Sequence, residues 1–200
     1  MMHERGLAVD HSTIFRWVQR YAPEINKRIR QHLKMSSTPF RVDETYIKVG
    51  KTCKHLYRAA DKEGQTIEFM LSAKRDVSAA KRFFKKMMRA DHRRLPFSIS
   101  VDQNAAYLEA FSTSQEERVA PEDCQLRRVK YLNNVLEQDR GFIKKKLRAA
   151  QCFMGFHTAE RTLEGIDAMN MIRKGQVKRL SGNDAQGQAM FVASLFQIAA

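Results

Sequence analysis

Long apolar runs are missing from this chain. The most apolar stretch, AMFVASLFQIAA at residues 189–200, is well short of the about 20 residues that a membrane-spanning helix needs. The N-terminal residues MMHERGLAVDHS carry charges where a secretory signal peptide needs an apolar run. We therefore expect a cytoplasmic protein without a membrane partner, whose final apolar stretch is a packed helix.

Cysteine is also scarce. The 3 cysteines, Cys53, Cys124 and Cys152, are widely separated and form neither a CxxC pair nor a Cys/His cluster. Their odd number and spacing argue against a disulfide framework and against a thiolate zinc site. We expect reduced thiols, most of them buried.

Acidic residues are the minority among the charges. The chain has 22 Asp and Glu against 36 Lys and Arg, which gives a formal net charge of +14 and a pI near 10.0. Such a balance favours a polyanionic partner, and nucleic acid is the usual one. The alternative is an ordinary well-charged, soluble surface. A length of 200 residues with 43% hydrophobic content is sufficient for one sizeable core.

The first periodic segment is DHSTIFRWVQRYAPEI at residues 10–25, which begins with the capping candidates Asp10 and Ser12. A short helical stub precedes it and stops at Gly6, as in a DNA-reading helix-turn-helix. The apolar stripe consists of Ile14, Trp17, Val18 and Tyr21. The outward positions that could contact DNA are His11, Thr13, Arg16 and Arg20. An ordinary helical hairpin fits the spacing about equally well.

Pro23 is placed to begin a further helix, PEINKRIRQHLKM, which we interpret as a basic linker. The segment SSTP at residues 36–39 marks a boundary. The chain therefore divides into a helical region at 1–35, a main domain at 36–176 and a C-terminal loop and helix at 177–200.

The main domain alternates between strand and helix patterns. Strands are predicted at 40–49, 54–61 and 65–73, followed by a helix at 77–90, a strand that ends at Asp102, a short helix and a strand at 125–132. From about Val135 the pattern is helical to the end, apart from the polar loop SGNDAQGQ. This order predicts an α/β domain with a mixed sheet flanked by helices.

Two acids interrupt the first strand, FRVDETYIKV. Alternation places Asp43 on the face of Thr45, Ile47 and Val49, whereas Glu44 points the opposite way. A carboxylate on an apolar face needs a cation, a hydrogen-bond network or a metal. We expect Asp43 to be a site residue and Glu44 to lie outside the site.

Two further acids are candidates for the same site. Asp102 ends an apolar strand, where open sheets commonly present binding groups. Glu137 begins a helix after KYLNN. Carboxylates that converge from two strands and a helix suit Mg²⁺, and a pair of such ions supports phosphoryl transfer.

Lys144 follows Glu137 by almost two helical turns and therefore lies on the same stripe, about 10 Å away along the axis. A cation there could hold a phosphate beside the metal. The alternative is that the run IKKKLR is only an exposed charged face, which we prefer for Lys145 and Lys146.

Several segments together resemble the DDE transposases of bacterial insertion sequences, most closely the insertion-sequence-six family, in an N-terminally shortened form. They are RVDETYIKV, LYRAADKEGQTIEFMLS, SVDQNAAY, YLNNVLEQD and AMNMIRKGQ. The 34 residues between Asp102 and Glu137 match the spacing of that family's catalytic motif, and Lys144 falls at its basic position. Arg140 stands where many relatives carry histidine, and we expect it to contact DNA.

The resemblance implies a ribonuclease-H-like fold with a partial N-terminal helix-turn-helix. It implies that Asp43, Asp102 and Glu137 are catalytic and bind two Mg²⁺ ions, with Mn²⁺ as a substitute. It also implies cleavage at terminal inverted repeats and strand transfer into target DNA by a homo-oligomer, associated with the nucleoid when bound. A catalytically impaired DNA-binding fragment that inhibits a full-length transposase is the alternative, and a stand-alone nuclease is a third hypothesis.

Overall fold

The computed structural model describes residues 8–92, 94–129 and 153–198. The chain divides into two compact units, which we name by their content. The sheet unit comprises residues 33–154, and the helical unit comprises residues 1–32 together with 155–200. No described helix is long and apolar enough to cross a membrane.

The described elements are numbered along the chain. The helices are α1 His11–Ile29, α2 Val77–Met88, α3 Ala105–Glu116, α4 Phe156–Arg173 and α5 Ala185–Leu195. The strands are β1 Phe40–Val49, β2 Thr52–Ala60, β3 Thr66–Ser72, β4 Ser98–Val101 and β5 Gln125–Arg128. A short 3₁₀ helix at Arg30–His32 follows α1.

The sheet unit contains a five-stranded sheet in the order β3-β2-β1-β4-β5. The first three strands form an antiparallel meander, whereas β4 pairs in parallel with β1, and β5 in parallel with β4. Each of the five strands was predicted, with boundaries that shift by a few residues. This mixed sheet with its flanking helices confirms the α/β, ribonuclease-H-like fold class.

Aromatic side chains from the sheet and from α2 and α3 form the core of the sheet unit. Tyr57 of β2 stacks at 5.5 Å from Phe83 of α2, and Phe84 lies 6.0 Å from Tyr107 of α3. Phe83 and Phe84 are completely buried. Such pairs contribute about 0.5–1.5 kcal/mol each beyond the burial of their area. This packing fixes α2 and α3 against the sheet and thereby positions the strand ends.

Side-chain caps set where α2 and α3, the two described helices of the sheet unit, begin. The Asp76 carboxylate accepts a hydrogen bond from the backbone N–H of Ala79 at 2.8 Å, and the Asn104 side chain accepts one from Ala106 at 3.1 Å. Each cap satisfies a donor that the first helical turn leaves unpaired. The start of α3 therefore falls three residues after Asp102, so that this acid occupies the turn between β4 and α3.

The helical unit differs from its prediction at Pro23. The predicted break is wrong, because α1 runs continuously from His11 to Ile29 with Pro23 inside it. A proline inside a helix removes one backbone hydrogen bond, and packing against α4 offsets this loss. Gly165 of α4 lies so close to Ala22 that an added Cβ would be 2.7 Å from the Ala22 Cβ.

The predicted apolar stripe of α1 is also wrong in part. Trp17 and Tyr21 are 44% and 40% exposed, whereas the buried residues of α1 are Ala22, Asn26 and Ile29. Small residues bring α1 close to α4, and this tertiary packing outweighs the aromatic periodicity. The first helix of the predicted helix-turn-helix falls largely on residues 1–7, outside the described residues.

The C-terminal helices agree with the predicted helical pattern. A turn at residues 174–184 separates α4 from α5, and the Asp184 carboxylate caps α5 through the N–H of Gly187 at 2.8 Å. Helix α5 therefore begins inside the predicted loop SGNDAQGQ. Residues 155–176, which the sequence assigned to the main domain, lie in the helical unit. The functional domain boundaries stay a prediction.

Candidate active site

Asp43 lies in the middle of β1 and is only 6% exposed. Its direct neighbour on β2 is Arg58, which is also buried and donates from Nη2 to the Thr66 hydroxyl at 3.3 Å. Opposed residues of an antiparallel pair have Cβ atoms about 4.5–5.5 Å apart. The sequence required a compensating group for a carboxylate here, and the register supplies a buried cation.

Asp102 directly follows β4 and is the more accessible of the two acids, with a side chain that is 39% exposed. Its Oδ1 accepts a hydrogen bond from the backbone N–H of Asn104 at 3.0 Å. This contact belongs to the turn that leads into α3, so the turn orients one oxygen of the carboxylate. The other oxygen, Oδ2, lies 3.4 Å from Nη2 of Arg75.

The pairing of β1 with β4 brings the two acids to neighbouring parts of the sheet. In the parallel pair of β1 and β4, Phe40 is aligned with Ile99 and Arg41 with Ser100. β4 ends at Val101, and the same alignment continued by two residues would place Asp102 opposite Asp43. Neighbouring strands lie about 4.8 Å apart. The parallel pairing therefore brings Asp102, in the turn after β4, next to the strand that contains Asp43, although the two acids are distant in sequence.

Glu44 is connected to this region, which the sequence did not predict. Its side chain is only 3% exposed and accepts from Nε of Arg75 at 2.9 Å, while His55 Nδ1 lies 2.8 Å from its other oxygen. Arg75 also directs Nη2 at Asp102 Oδ2, at 3.4 Å. One guanidinium therefore joins Glu44 to Asp102, while the expectation that Glu44 lies outside the catalytic site stays a prediction.

Arg75 was missed because its sequence context gives no signal. It lies in the loop before α2, in the segment AKRD, among several other basic residues. Only the loop geometry shows that Arg75, among these basic residues, contacts both Glu44 and Asp102. Burial opposes the positive charge of Arg75, but its hydrogen bond to Glu44 and the nearby negative charges outweigh burial and raise the guanidinium pKa.

Two tyrosines lie in the electrostatic field of these acids. Burial raises the pKa of both Tyr57 and Tyr107, and the negative charge of Glu44 raises each further. Both phenols therefore remain protonated at neutral pH. Within the described part of the chain, the buried hydroxyl of Tyr107 has no hydrogen-bond partner.

The two aspartates provide ligand atoms of the kind that a divalent cation needs. Asp43 and Asp102 offer carboxylate oxygens, which suit a hard cation such as Mg²⁺. Their positions, in β1 and directly after the adjacent β4, fit a shared ion, and the exposure of Asp102 leaves one side open to solvent. The described ranges contain no group of three or more His, Cys, Asp or Glu side chains arranged to hold a metal. The predicted site residues Glu137, Arg140 and Lys144 lie outside the described residues.

The predicted DNA contacts His11, Thr13, Arg16 and Arg20 all lie on α1. Arg16 and Arg20 are exposed and line a shallow groove of about 600 Å³ within the helical unit. Arg161 of α4 lines the same groove and was not predicted as a site residue. Three guanidinium groups in one groove can pair with phosphate oxygens.

The chain is similar to known proteins in sequence and in structure. A family profile described as a DDE domain matches residues 37–176. The chain is 35% identical over 175 residues to the transposase for insertion sequence-like element IS431mec of Staphylococcus aureus, covering 87% of this chain and 75% of that protein. It is 34% identical, with the same coverage, to the transposase for insertion sequence element IS257 in transposon Tn4003 of Staphylococcus aureus.

Solved structures with a related arrangement include two integrase catalytic core domains. The core domain of BIV integrase aligns with a TM-score of 0.48 and 13% identity, covering 79% of this chain and 97% of that one. The HTLV-2 integrase core, solved in complex with magnesium, aligns with a TM-score of 0.46 and 15% identity, covering 66% of this chain and 84% of that one.

The family assignment rests on the sequence comparisons alone. The profile spans most of the chain and includes Asp43 and Asp102, and the relatives are similar over 87% of it. The chain belongs to the DDE transposases of bacterial insertion sequences, in the insertion-sequence-six family, which are enzymes that cut and join DNA.

Proposed function

We propose that this protein catalyses Mg²⁺-dependent cleavage of DNA at terminal inverted repeats and strand transfer into target DNA. The observation that carries the proposal is the parallel pairing of β1 with β4, because Asp43 lies in β1 and Asp102 directly follows β4. The profile match over residues 37–176 supports the same reaction class.

Asp43 and Asp102, together with Glu137, would hold two Mg²⁺ ions. When bound, such a pair supplies activation of an attacking oxygen and stabilisation of a leaving oxygen in an in-line displacement at phosphorus. In cleavage, water attacks the phosphodiester and the bond to the 3′ oxygen breaks, which leaves a 3′-hydroxyl and a 5′-phosphate. In strand transfer, that 3′-hydroxyl attacks a target phosphodiester, so one phosphodiester bond forms as another breaks.

The protein side chains contribute position and charge. Asn104 orients Asp102 through its backbone N–H. Arg58 is opposite Asp43 in the register of β1 and β2, where its charge would balance that of Asp43. Lys144, and Arg140 four residues before it, would hold phosphates near the acids. Placement of the phosphodiester and of the attacking hydroxyl accounts for a large part of the rate enhancement of such reactions.

The net charge of +14 and the exposed cations of α1 support a DNA partner. Arg16 and Arg20, with His11 and Thr13 on the same helix, would contact the terminal DNA. Bringing two ends together on one target requires more than one active site, so a homo-oligomer on DNA is the expected assembly.

The reaction can be tested with the full chain, an oligonucleotide that carries the element's terminal repeat, and a supercoiled plasmid as target. Joined products should form with Mg²⁺ and disappear with EDTA. Asp102→Asn should lose joining by at least about 100-fold, because it removes a ligand and a charge at the reacting centre.

Asp91→Asn is the matched control, because Asp91 is an exposed aspartate of the sheet unit that lies outside the proposed site. It should retain joining. Equal joining by wild type and Asp102→Asn would refute the catalytic assignment, and so would the absence of joined product from the wild-type chain.

A further inference from the structure

The guanidinium of Arg75 stands between a buried acid and an accessible one. Its Nε donates to Glu44 Oε2 at 2.9 Å, and its Nη2 approaches Asp102 Oδ2 at 3.4 Å. The two contacts differ in strength. The Glu44 carboxylate is 3% exposed, whereas that of Asp102 is 39% exposed and its contact is long.

Glu44 therefore acts as the anchor of this pair. A buried carboxylate that loses its cation is left with an uncompensated charge, so Glu44 holds Arg75 in place. His55 adds a second contact to the same carboxylate at 2.8 Å. By contrast, an exposed ion pair such as Arg75–Asp102 contributes at most about 1 kcal/mol and exchanges readily.

The same guanidinium occupies the approach to Asp102 Oδ2. Asp102 Oδ1 is already engaged by the backbone N–H of Asn104 at 3.0 Å, so Oδ2 is the oxygen that Arg75 covers. A divalent cation bound at Asp102 would lie within a few ångströms of a fixed positive charge. Two unit charges 4 Å apart interact by about 1 kcal/mol even in bulk water, and a divalent ion doubles this.

We propose that Arg75, anchored by Glu44, is a resident counter-cation of Asp102 that competes with the divalent metal for this carboxylate. This inference rests on the proposed function, in which Asp102 is a metal ligand. Arg75 and Glu44 are then positioning residues that act on the site through Asp102. With a side chain that is 37% exposed, Arg75 can be reached by a DNA phosphate, and phosphate pairing would weaken its hold on Asp102 and favour metal binding.

The test is equilibrium binding of Mn²⁺ to the full chain without DNA. Electron paramagnetic resonance measures the concentration of free Mn²⁺ at each step of the titration. Arg75→Gln should tighten Mn²⁺ binding by about 30-fold, since removal of one positive charge about 4 Å from a divalent ion is worth about 2 kcal/mol. The gain should vanish when Asp102→Asn is added, because the competition is for that carboxylate.

Arg82→Gln is the matched control. It also removes one arginine of the sheet unit, but the Arg82 guanidinium lies 3.4 Å from the Ser72 hydroxyl instead of an acid. It should leave Mn²⁺ affinity unchanged. Circular dichroism establishes that each variant is folded.

The outcomes separate the two proposals. If Asp102→Asn binds Mn²⁺ as well as wild type does, the proposed metal site is wrong. Suppose instead that Asp102→Asn binds Mn²⁺ more weakly than wild type does. The counter-cation proposal is then refuted if Arg75→Gln binds Mn²⁺ as wild type does, or if Arg82→Gln tightens binding as much as Arg75→Gln does, while the proposed function stands.

In joining assays, the half-saturating Mg²⁺ concentration should fall in Arg75→Gln, a change that misfolding would not produce.

Discussion

Asp43 lies in β1 and Asp102 directly follows β4, the parallel neighbour of β1, yet the two acids differ in environment. Asp43 is 6% exposed and opposes the buried Arg58, whereas the Asp102 side chain is 39% exposed. Their chemical roles are proposed to be alike, but their contributions to stability should be unlike. A pair of isosteric substitutions can separate the two properties.

We expect Asp43→Asn and Asp102→Asn to abolish strand transfer alike but to differ in free energy of unfolding. Asp43→Asn should lower it by roughly 1–3 kcal/mol, because a buried charge loses its partner. Asp102→Asn should change it by less than about 1 kcal/mol. Urea denaturation followed by circular dichroism measures both, and equal stability losses would contradict the described environments.

Gly165 and Ala22 set the distance between α4 and α1 in the helical unit. A Cβ on Gly165 would lie 2.7 Å from the Ala22 Cβ, so Gly165→Ala should destabilise the protein by about 1–3 kcal/mol through overpacking. The double variant Ala22→Gly/Gly165→Ala moves the methyl group from one helix to the other. It should recover much of the loss in thermal unfolding, and a double variant that is less stable than Gly165→Ala would contradict the close packing.

The groove lined by Arg16, Arg20 and Arg161 should bind DNA through phosphates. Arg20→Gln should weaken binding of any duplex and reduce the slope of log Kd against log salt by about one. Arg173→Gln is the control, because Arg173 lies about 18 Å from Arg161 along α4. Fluorescence anisotropy at several salt concentrations measures the slope. If both variants change it equally, the groove has no special role.

Cys124 and Cys53 should differ in reactivity. Burial raises the pKa of the Cys124 thiol to about 11, so at pH 8 only about one molecule in a thousand carries the thiolate that reacts. Cys53 is exposed. Iodoacetamide at pH 8 followed by peptide mass spectrometry should modify Cys53 first. Because the pKa of Cys124 is raised, its labelling should increase as the pH approaches 11, and rapid labelling of Cys124 at pH 8 would contradict its burial.

Strand and helix patterning in the sequence was sufficient to predict the described strands and helices of the sheet unit. The run FRVDETYIKV became β1, and the amphipathic segment around Phe83 and Phe84 became α2 with both rings buried. These elements are predictable because period and polarity report which face is buried. The same logic identified Asp43, since a carboxylate on an apolar strand needs a compensating group.

Patterning failed where distant packing outweighs local preference. Pro23 predicted a helix start and Trp17 predicted a buried face, yet α1 continues through Pro23 and Trp17 is exposed. The contact of Ala22 with Gly165, which are 143 residues apart, leaves no local signal in either segment.

The sequence by itself determined the strand order along the chain, the charge that favours DNA, and the acids Asp43 and Asp102 as candidates. Only the tertiary structure decided that the strand before Asp102 pairs with the strand that contains Asp43 and that Glu44 is joined to Asp102 through Arg75. The reason is that register and loop geometry depend on pairing between segments far apart in sequence. A two-residue shift of β4 would move Asp102 relative to Asp43 and still keep Ile99 and Val101 on the buried face.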